Sequence, residues 1–216
     1  MTVKAIIFDL DGTLLNTLED LADSMNRVLM RMSFPTHPVD AYKHFVGDGI
    51  EKLASRVLPE THQNKETAKS CVEEMKREYG AHWRDKTCPY KGIDNMLNAL
   101  SERSISLNIL SNKPDALTLL TVSAFFPAYS FDIVAGAKKE IPKKPDPTSA
   151  LYIVKALNLS SDQFLYLGDT NTDMETAKNA SIFALGALWG FRTASELRTS
   201  GAQALLEHPL DILQHI

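Results

Sequence analysis

Two aspartates two residues apart, Asp9 and Asp11, follow an apolar run over residues 3–8 and stand in the string FDLDGT at 8–13, ahead of Gly12 and Thr13. A carboxylate held where a buried strand stops can attack phosphorus. A second acid beside it can protonate the leaving alkoxide and later deprotonate the water that hydrolyses the aspartyl phosphate. Asp9 fits the first role and Asp11 the second. Three more polar strings end apolar runs: Ser111-Asn112-Lys113, Lys143-Lys144-Pro145 and Gly168-Asp169, the last followed by Asp173. With one acid at a strand exit and the other in the first turn of a helix, Asp169 and Asp173 can turn to the same side.

Such a set of acids carries an electrostatic cost. Two carboxylates about 4 Å apart repel by about 4 kcal/mol at an effective dielectric near 20, so the acids converge only around a cation. Oxygen ligands without paired histidines or cysteines favour Mg²⁺ over zinc. A phosphate ester adds its own negative charge, and the reaction then needs a lysine and hydrogen-bond donors around the phosphoryl oxygens. Ser111, Asn112 and Lys144 supply them. Lys113 is read as a neighbour whose side chain points outward, and Lys143 as a solvated surface charge.

The elements that must position these groups follow from periodicity. Apolar residues at three- and four-residue steps predict a helix over 17–32, and helical spacing continues over 40–46, 49–58 and 66–83 with no strand between. From about residue 89 the pattern alternates: helix 93–102, strand 106–110, helix 114–125, strand 131–135, helix 147–157, strand 164–167, helix 171–180, strand 182–188. Such alternation specifies a parallel sheet covered on both faces. The expected architecture is therefore α/β: a doubly wound, Rossmann-like core of residues 1–14 and 89–216, with an all-helical cap of residues 15–88 inserted after the first strand. In that arrangement the four polar strings face one crevice at the carboxyl ends of the strands. In the cap, the Gly47-Asp48-Gly49 turn either offers backbone donors toward a substrate or is a plain helix-to-helix turn, and Lys43, Lys52 and Arg56 are candidates for the cation that a substrate carboxylate requires, though charges on exposed helix faces are ordinarily just solvated.

Composition bounds the partners. The chain has 216 residues, 44% of them hydrophobic, and a net charge of −4. Without a basic or acidic block, the charge gives no case for nucleic acid or an anionic membrane, and a small-molecule phosphate ester is the expected partner. Two cysteines are too few for a disulfide framework, and a strand beginning within a few residues of Met1 leaves no room for a signal peptide, which together point to the cytoplasm. The apolar stretches at 117–131 and 182–191 fall below the roughly 18 residues that span a bilayer. Monomer and dimer are both compatible with the sequence.

With these residues in place, the chain resembles the haloacid dehalogenase superfamily of phosphotransferases. Its four motifs appear in order: FDLDGT at 8–13, ILSNK at 109–113, KKPDP at 143–147 and YLGDTNTD at 166–173. The resemblance implies Asp9 as nucleophile and Mg²⁺ ligand, and Asp11 as acid/base whose main-chain carbonyl also binds the metal. It makes Asp169 a metal ligand and Asp173 a support of the metal shell. Ser111 and Lys144 would bind the transferring phosphoryl group, with the main chain of Gly12 and Asn112 adding donors. The insertion after the first motif is similar to the subgroup with a helical cap. FVGDGIEKLASRVLP, PYKGI, ILSNKP and LGALWGF resemble its phosphoglycolate phosphatase-like branch.

The implied reaction is Mg²⁺-dependent hydrolysis of a small phosphomonoester, phosphoglycolate or a close analogue. Pyrophosphate, nucleotide and sugar phosphate hydrolases are alternatives, as is a phosphomutase, against which Thr13 argues. Dehalogenation needs neither an alkoxide proton donor nor a metal, so Asp11 and Asp169 count against it. A non-catalytic phospho-acceptor module would need no helical insertion.

Overall fold

The computed structural model describes residues 2–216. The chain forms β1 (Ala5–Phe8), β2 (Leu15–Asn16), α1 (Leu18–Arg31), α2 (Tyr42–Phe45), α3 (Ile50–Val57), α4 (Lys65–His82), β3 (Cys88–Pro89) and α5 (Ile93–Glu102). There follow β4 (Ser106–Pro114), α6 (Asp115–Phe125), β5 (Ile133–Ala137), α7 (Thr148–Ala156), β6 (Phe164–Gly168), α8 (Asn171–Asn179), β7 (Phe183–Ala187), α9 (Ala194–Ser200) and β8 (Ala204–Leu206). Two compact units result, Met1–Leu15 with Pro89–Ile216, and Asn16–Cys88.

In the first unit six strands lie in the order β5-β4-β1-β6-β7-β8, every neighbouring pair parallel. The unbroken apolar run of β1 suits a strand buried on both faces. Ile6 and Phe8 pack on one face with Ile93, Met96, Leu97 and Leu100 of α5. Ala5 and Ile7 pack on the other with Ala150 and Ile153 of α7 and Met174 and Ala177 of α8. Each fully buried side chain of the size of Ile6 or Phe8 contributes about 1.5–3 kcal/mol. After β1 the chain winds outward through β4 and β5, then returns to β6 on the other side of β1. The strand order therefore reverses at β1, the place where an open α/β sheet opens a crevice. Phe8 pairs level with Ile109 and Leu167, so Asp9, the residues after Leu110 and the Gly168-Asp169 pair emerge side by side.

The expected α/β architecture with a central parallel sheet and an added set of helices is the one observed. Differences fall at short or bent elements. β4 runs on to Pro114 instead of ending at 110, with a register shift between Leu110 and Pro114 that carries Ser111 to Lys113 along the strand. β5 starts two residues later than expected because Phe131 and Tyr129 stack edge-on against Phe126 rather than joining the ladder. The expected helix over 40–46 is a 3-10 turn at Val39–Ala41 continued by the four-residue α2. α9 and β8 have seven and three residues, too short for periodicity to mark.

The second unit is helical. α1 packs along α4, burying Met25, Val28 and Leu29 on one helix and Cys71, Met75 and Tyr79 on the other. Its two ends are tied by Asp20, which is 3% exposed. The Asp20 carboxylate accepts from the Lys86 and Thr87 amides at 3.0 and 2.8 Å and from the Thr87 hydroxyl at 2.7 Å. Asp20→Ala strands these donors and is expected to lower the unfolding free energy by about 2–4 kcal/mol, measured by urea titration. Arg56 is exposed, as expected, and from the surface it donates to the Phe45 carbonyl at 3.0 Å and pairs with Asp48. It braces the Gly47-Asp48-Gly49 turn, whose glycines hold φ of 113° and 87°.

Candidate active site

At the carboxyl end of the sheet, carboxylate oxygens of Asp9, Asp169 and Asp173 lie within 4.8 Å of one another. All three residues are buried. Lys144 enters this group from the loop after β5, and its Nζ donates to Asp9 Oδ1 at 2.7 Å and to Asp173 Oδ1 at 2.6 Å. The lysine stands 5.9 Å from the centre of the Tyr166 ring, and the Tyr166 hydroxyl donates to Asp173 Oδ1 at 3.3 Å. Asp173 is also the third residue of α8: its Oδ2 accepts from the Thr170 amide and hydroxyl at 3.1 and 2.6 Å, while the Thr170 hydroxyl caps the helix. One carboxylate thus closes a helix terminus and anchors the lysine, and its negative charge suits the helix N-terminus.

Asp169 is held from two sides. The Thr13 hydroxyl donates to Oδ1 at 2.8 Å and the Phe191 amide to Oδ2 at 2.8 Å. Thr13 is fixed in turn by the Trp189 indole, which donates to its carbonyl at 2.9 Å. The walls of this slot are glycines. A methyl group on Gly12 or on Gly190 would collide with the Asp169 carboxylate, and one on Gly168 with Asp173. Gly12 also holds φ at 99°, a region costly to other residues.

Asp11 lies beside this cluster but outside the group of three acids. Its Oδ1 accepts from Lys113 Nζ at 2.9 Å. The Lys113 side chain is only 4% exposed, which corrects its reading as outward-pointing: β4 continues past Leu110 and carries Lys113 into the crevice instead of turning away. Ser111 is buried, and its hydroxyl oxygen accepts from the Lys113 amide at 3.1 Å. Asn112 uses its side chain to grip the loop of Lys144, donating to the Lys144 carbonyl at 3.2 Å and accepting from the Lys144 amide at 3.0 Å. Its side chain positions the lysine. The Gly12 amide differs from expectation. It donates to the Leu15 carbonyl at 2.8 Å and closes the turn after β1, so glycine is required here for its φ and its lack of a side chain rather than as a phosphoryl donor.

Thr13, Tyr166, Thr170, Trp189, Gly190 and Phe191 complete the site without having been singled out for roles in it. The only sequence signal for the last three was the LGALWGF string. Tyr166 opens the YLGDTNTD string but was given no role, since an aromatic residue in a buried strand ordinarily belongs to the core.

Electrostatics tests the fit to a cation. Burial pushes the Asp9 carboxyl well above its ordinary value; the Lys144 ammonium pulls it back, and Asp173 and Asp169 push it further up. Burial and the neighbouring Asp173 bring Asp169 up to about 7. Burial alone would lower Lys144, but Asp173 and Asp9 outweigh it and hold the ammonium well above its usual range. Three buried carboxylates face one buried ammonium, so the group as it stands favours the protonated forms of Asp9 and Asp169. A hard divalent cation relieves the imbalance, and the all-oxygen donor set fits Mg²⁺.

The consequence for stability has a definite sign. A carboxyl whose folded-state pKa is raised contributes stability at low pH that is lost as pH rises, for Asp169 across the window from about pH 4 to 7. The chelator-treated protein is therefore expected to melt lower at pH 8 than at pH 5. Mg²⁺ should raise the transition most at pH 8, and Asp169→Asn should remove that Mg²⁺ response. A melting temperature indifferent to Mg²⁺ at both pH values would count against the site as a metal centre.

A doubly wound parallel sheet with clustered acids and a lysine at its switch point is equipped for phosphoryl chemistry at an aspartate. Residues 6–187 match the haloacid dehalogenase-like hydrolases, and the chain belongs to that family. It is 29% identical to a phosphoglycolate phosphatase of Psychrobacter arcticus over 92% of this chain and 89% of the relative. It is 27% identical to a phosphoglycolate phosphatase of Aquifex aeolicus over 98% and 96% of the two chains. A solved structure from Lactobacillus delbrueckii subsp. bulgaricus, of proposed phosphoglycolate phosphatase activity, superposes with a TM-score of 0.94 at 28% identity, covering 100% of this chain and 99% of that one. Among the described residues, no helix is long and apolar enough to cross a membrane.

Proposed function

We propose that this enzyme hydrolyses a small phosphomonoester, phosphoglycolate or an ester of similar size, through an aspartyl phosphate on Asp9. The observation that carries the reading is the position of Lys144 Nζ, within hydrogen-bonding distance of both Asp9 and Asp173 in a buried crevice of three acids. The lysine orients the Asp9 carboxylate and lies where it can also bond an oxygen of a phosphoryl group being attacked by Asp9. Asp11 donates a proton to the leaving alkoxide and takes one from the hydrolytic water. Lys113 holds Asp11 Oδ1, which fixes the rotamer and leaves Oδ2 to exchange the proton. Ser111 contributes a hydroxyl donor. Asp9, the Asp11 main-chain carbonyl and Asp169 would hold Mg²⁺, with Asp173 behind them. When bound, the ion neutralises charge on the phosphoryl oxygens.

The choice of substrate is supported by the chain's similarity to phosphoglycolate phosphatases. Its test is phosphate release from a panel of phosphoglycolate, pyrophosphate, nucleoside monophosphates and sugar phosphates, with and without Mg²⁺, ranked by kcat/KM. Phosphoglycolate at the head of the ranking supports the full reading. A rank far below other esters retains the phosphatase and removes the substrate. An isomeric sugar phosphate in place of inorganic phosphate identifies a mutase, and no turnover of any ester overturns the proposal.

A further inference from the structure

Tyr166 is a fully buried phenol, and the roles of Asp9, Asp11 and Lys144 leave it without a part in the reaction. It lies in β6 between Ile7 of β1 and Ala184 of β7, so its backbone is paired on both sides. Around it on this face of the sheet are Ala150, Ile153 and Met174, a setting that a phenylalanine would fill as well. A buried hydroxyl is costly unless it is bonded. That of Tyr166 donates to Asp173 Oδ1 at 3.3 Å. Tyr166 and Gly168 stand two apart on the strand and face the same side, and the Asp173 side chain lies against that side: a methyl group on Gly168 would collide with its Cβ and Cγ.

The two oxygens of Asp173 are supported differently. Oδ2 accepts from the Thr170 amide and hydroxyl at 3.1 and 2.6 Å, both at the start of α8. Held at that oxygen, the carboxylate is still able to tilt. Oδ1 is the oxygen that faces Lys144 Nζ, at 2.6 Å, and it is the one that Tyr166 meets. From this we infer that Tyr166 is a positioning residue: its hydroxyl, carried on a central strand, aims Asp173 Oδ1 and through it places the Lys144 ammonium beside the phosphoryl group.

The inference rests on the role proposed above for Lys144. Asn112 grips the main chain of that lysine, so its long flexible stem has to be placed from the charged end. Asp9 holds that end as well, at 2.7 Å, but its charge falls when one of its oxygens bonds phosphorus. Asp173 keeps its charge through both halves of the reaction. A lysine contact to the phosphoryl oxygens counts most in the transition state, and misplacing it lowers kcat rather than raising KM.

Tyr166→Phe tests this, because it keeps the ring that lies 5.9 Å from Nζ and removes the hydroxyl alone. Expected are a kcat about tenfold lower, a KM within about twofold, and an unchanged circular dichroism spectrum. In a Lys144→Met background the same change should cost less than about twofold, since the hydroxyl acts through the lysine. A hydroxyl that serves the fold alone would cost the same factor in both backgrounds. A second readout needs no turnover. The ¹⁵N–¹H NMR signal of the Lys144 ammonium, assigned by its loss in Lys144→Met, should show faster proton exchange in Tyr166→Phe. Equal costs in the two backgrounds, an undiminished kcat, an unchanged ammonium exchange or a Tyr166→Phe chain that does not fold would each overturn the inference. A wild type inert toward every ester removes the phosphatase reading, and the exchange comparison then decides by itself whether Tyr166 places Lys144.

Discussion

Asp9→Asn is expected to lower kcat for ester hydrolysis by at least about 10⁴-fold, the scale of removing a nucleophile, while the thermal transition moves by no more than a few degrees. The two halves of this result have separate causes. Attack on phosphorus requires a carboxylate lone pair, which an amide of the same shape cannot supply. Folding has little need of that charge. Burial drives the Asp9 carboxyl well above its ordinary value, so the ionised form is disfavoured in the folded protein and a neutral amide relieves part of the strain. The amide oxygen can still accept from Lys144, whose second bond to Asp173 is untouched. Activity assays and differential scanning calorimetry on one preparation check both halves. A variant that loses its fold would make Asp9 a structural residue, and one that keeps turnover would remove it as nucleophile.

The sequence was informative where local pattern and chemistry coincide. The apolar run before Asp9 could only be a doubly buried strand, and the four-residue spacing of Asp169 and Asp173 put both acids at one helix start. Alternation of helix and strand then dictated that these groups share a crevice. The hidden part consists of contacts between residues far apart in the chain. Lys113 was misread because its direction depends on β4 running beyond Leu110, a register shift that strand propensity does not mark. The supports of Asp169, Thr13 and Phe191, come from separate loops. They meet only because β1, β6 and β7 lie next to one another. Asn112 illustrates a third kind of loss. Its residue type suggests a hydrogen-bond donor to substrate, whereas its geometry shows both ends of the amide spent on the backbone of Lys144.

Lys144→Met should separate electrostatic support from chemistry more sharply than any change among the acids. The ammonium is the cation that bridges Asp9 and Asp173, and methionine keeps most of its length and apolar stem. Removing one partner of a buried ion pair leaves an uncompensated charge and costs about 3–5 kcal/mol. In this protein the loss should depend on pH. The raised Asp9 and Asp169 carboxyls mean that protonation becomes the variant's route to neutrality, so the deficit should be largest at pH 8 and shrink toward pH 5, below the value of about 7 to which Asp169 is raised. Adding Asp9→Asn to Lys144→Met should recover part of the lost stability, because the double variant carries one fewer buried charge. Hydrolysis by the single variant should fall about 10²–10³-fold with saturating Mg²⁺, the cost of one charged contact to the phosphoryl group. Urea unfolding at the two pH values supplies the decisive comparison. An equal loss at both would assign the role of Lys144 to packing of its stem against Tyr166, and the charge balance argued for this crevice would fail with it.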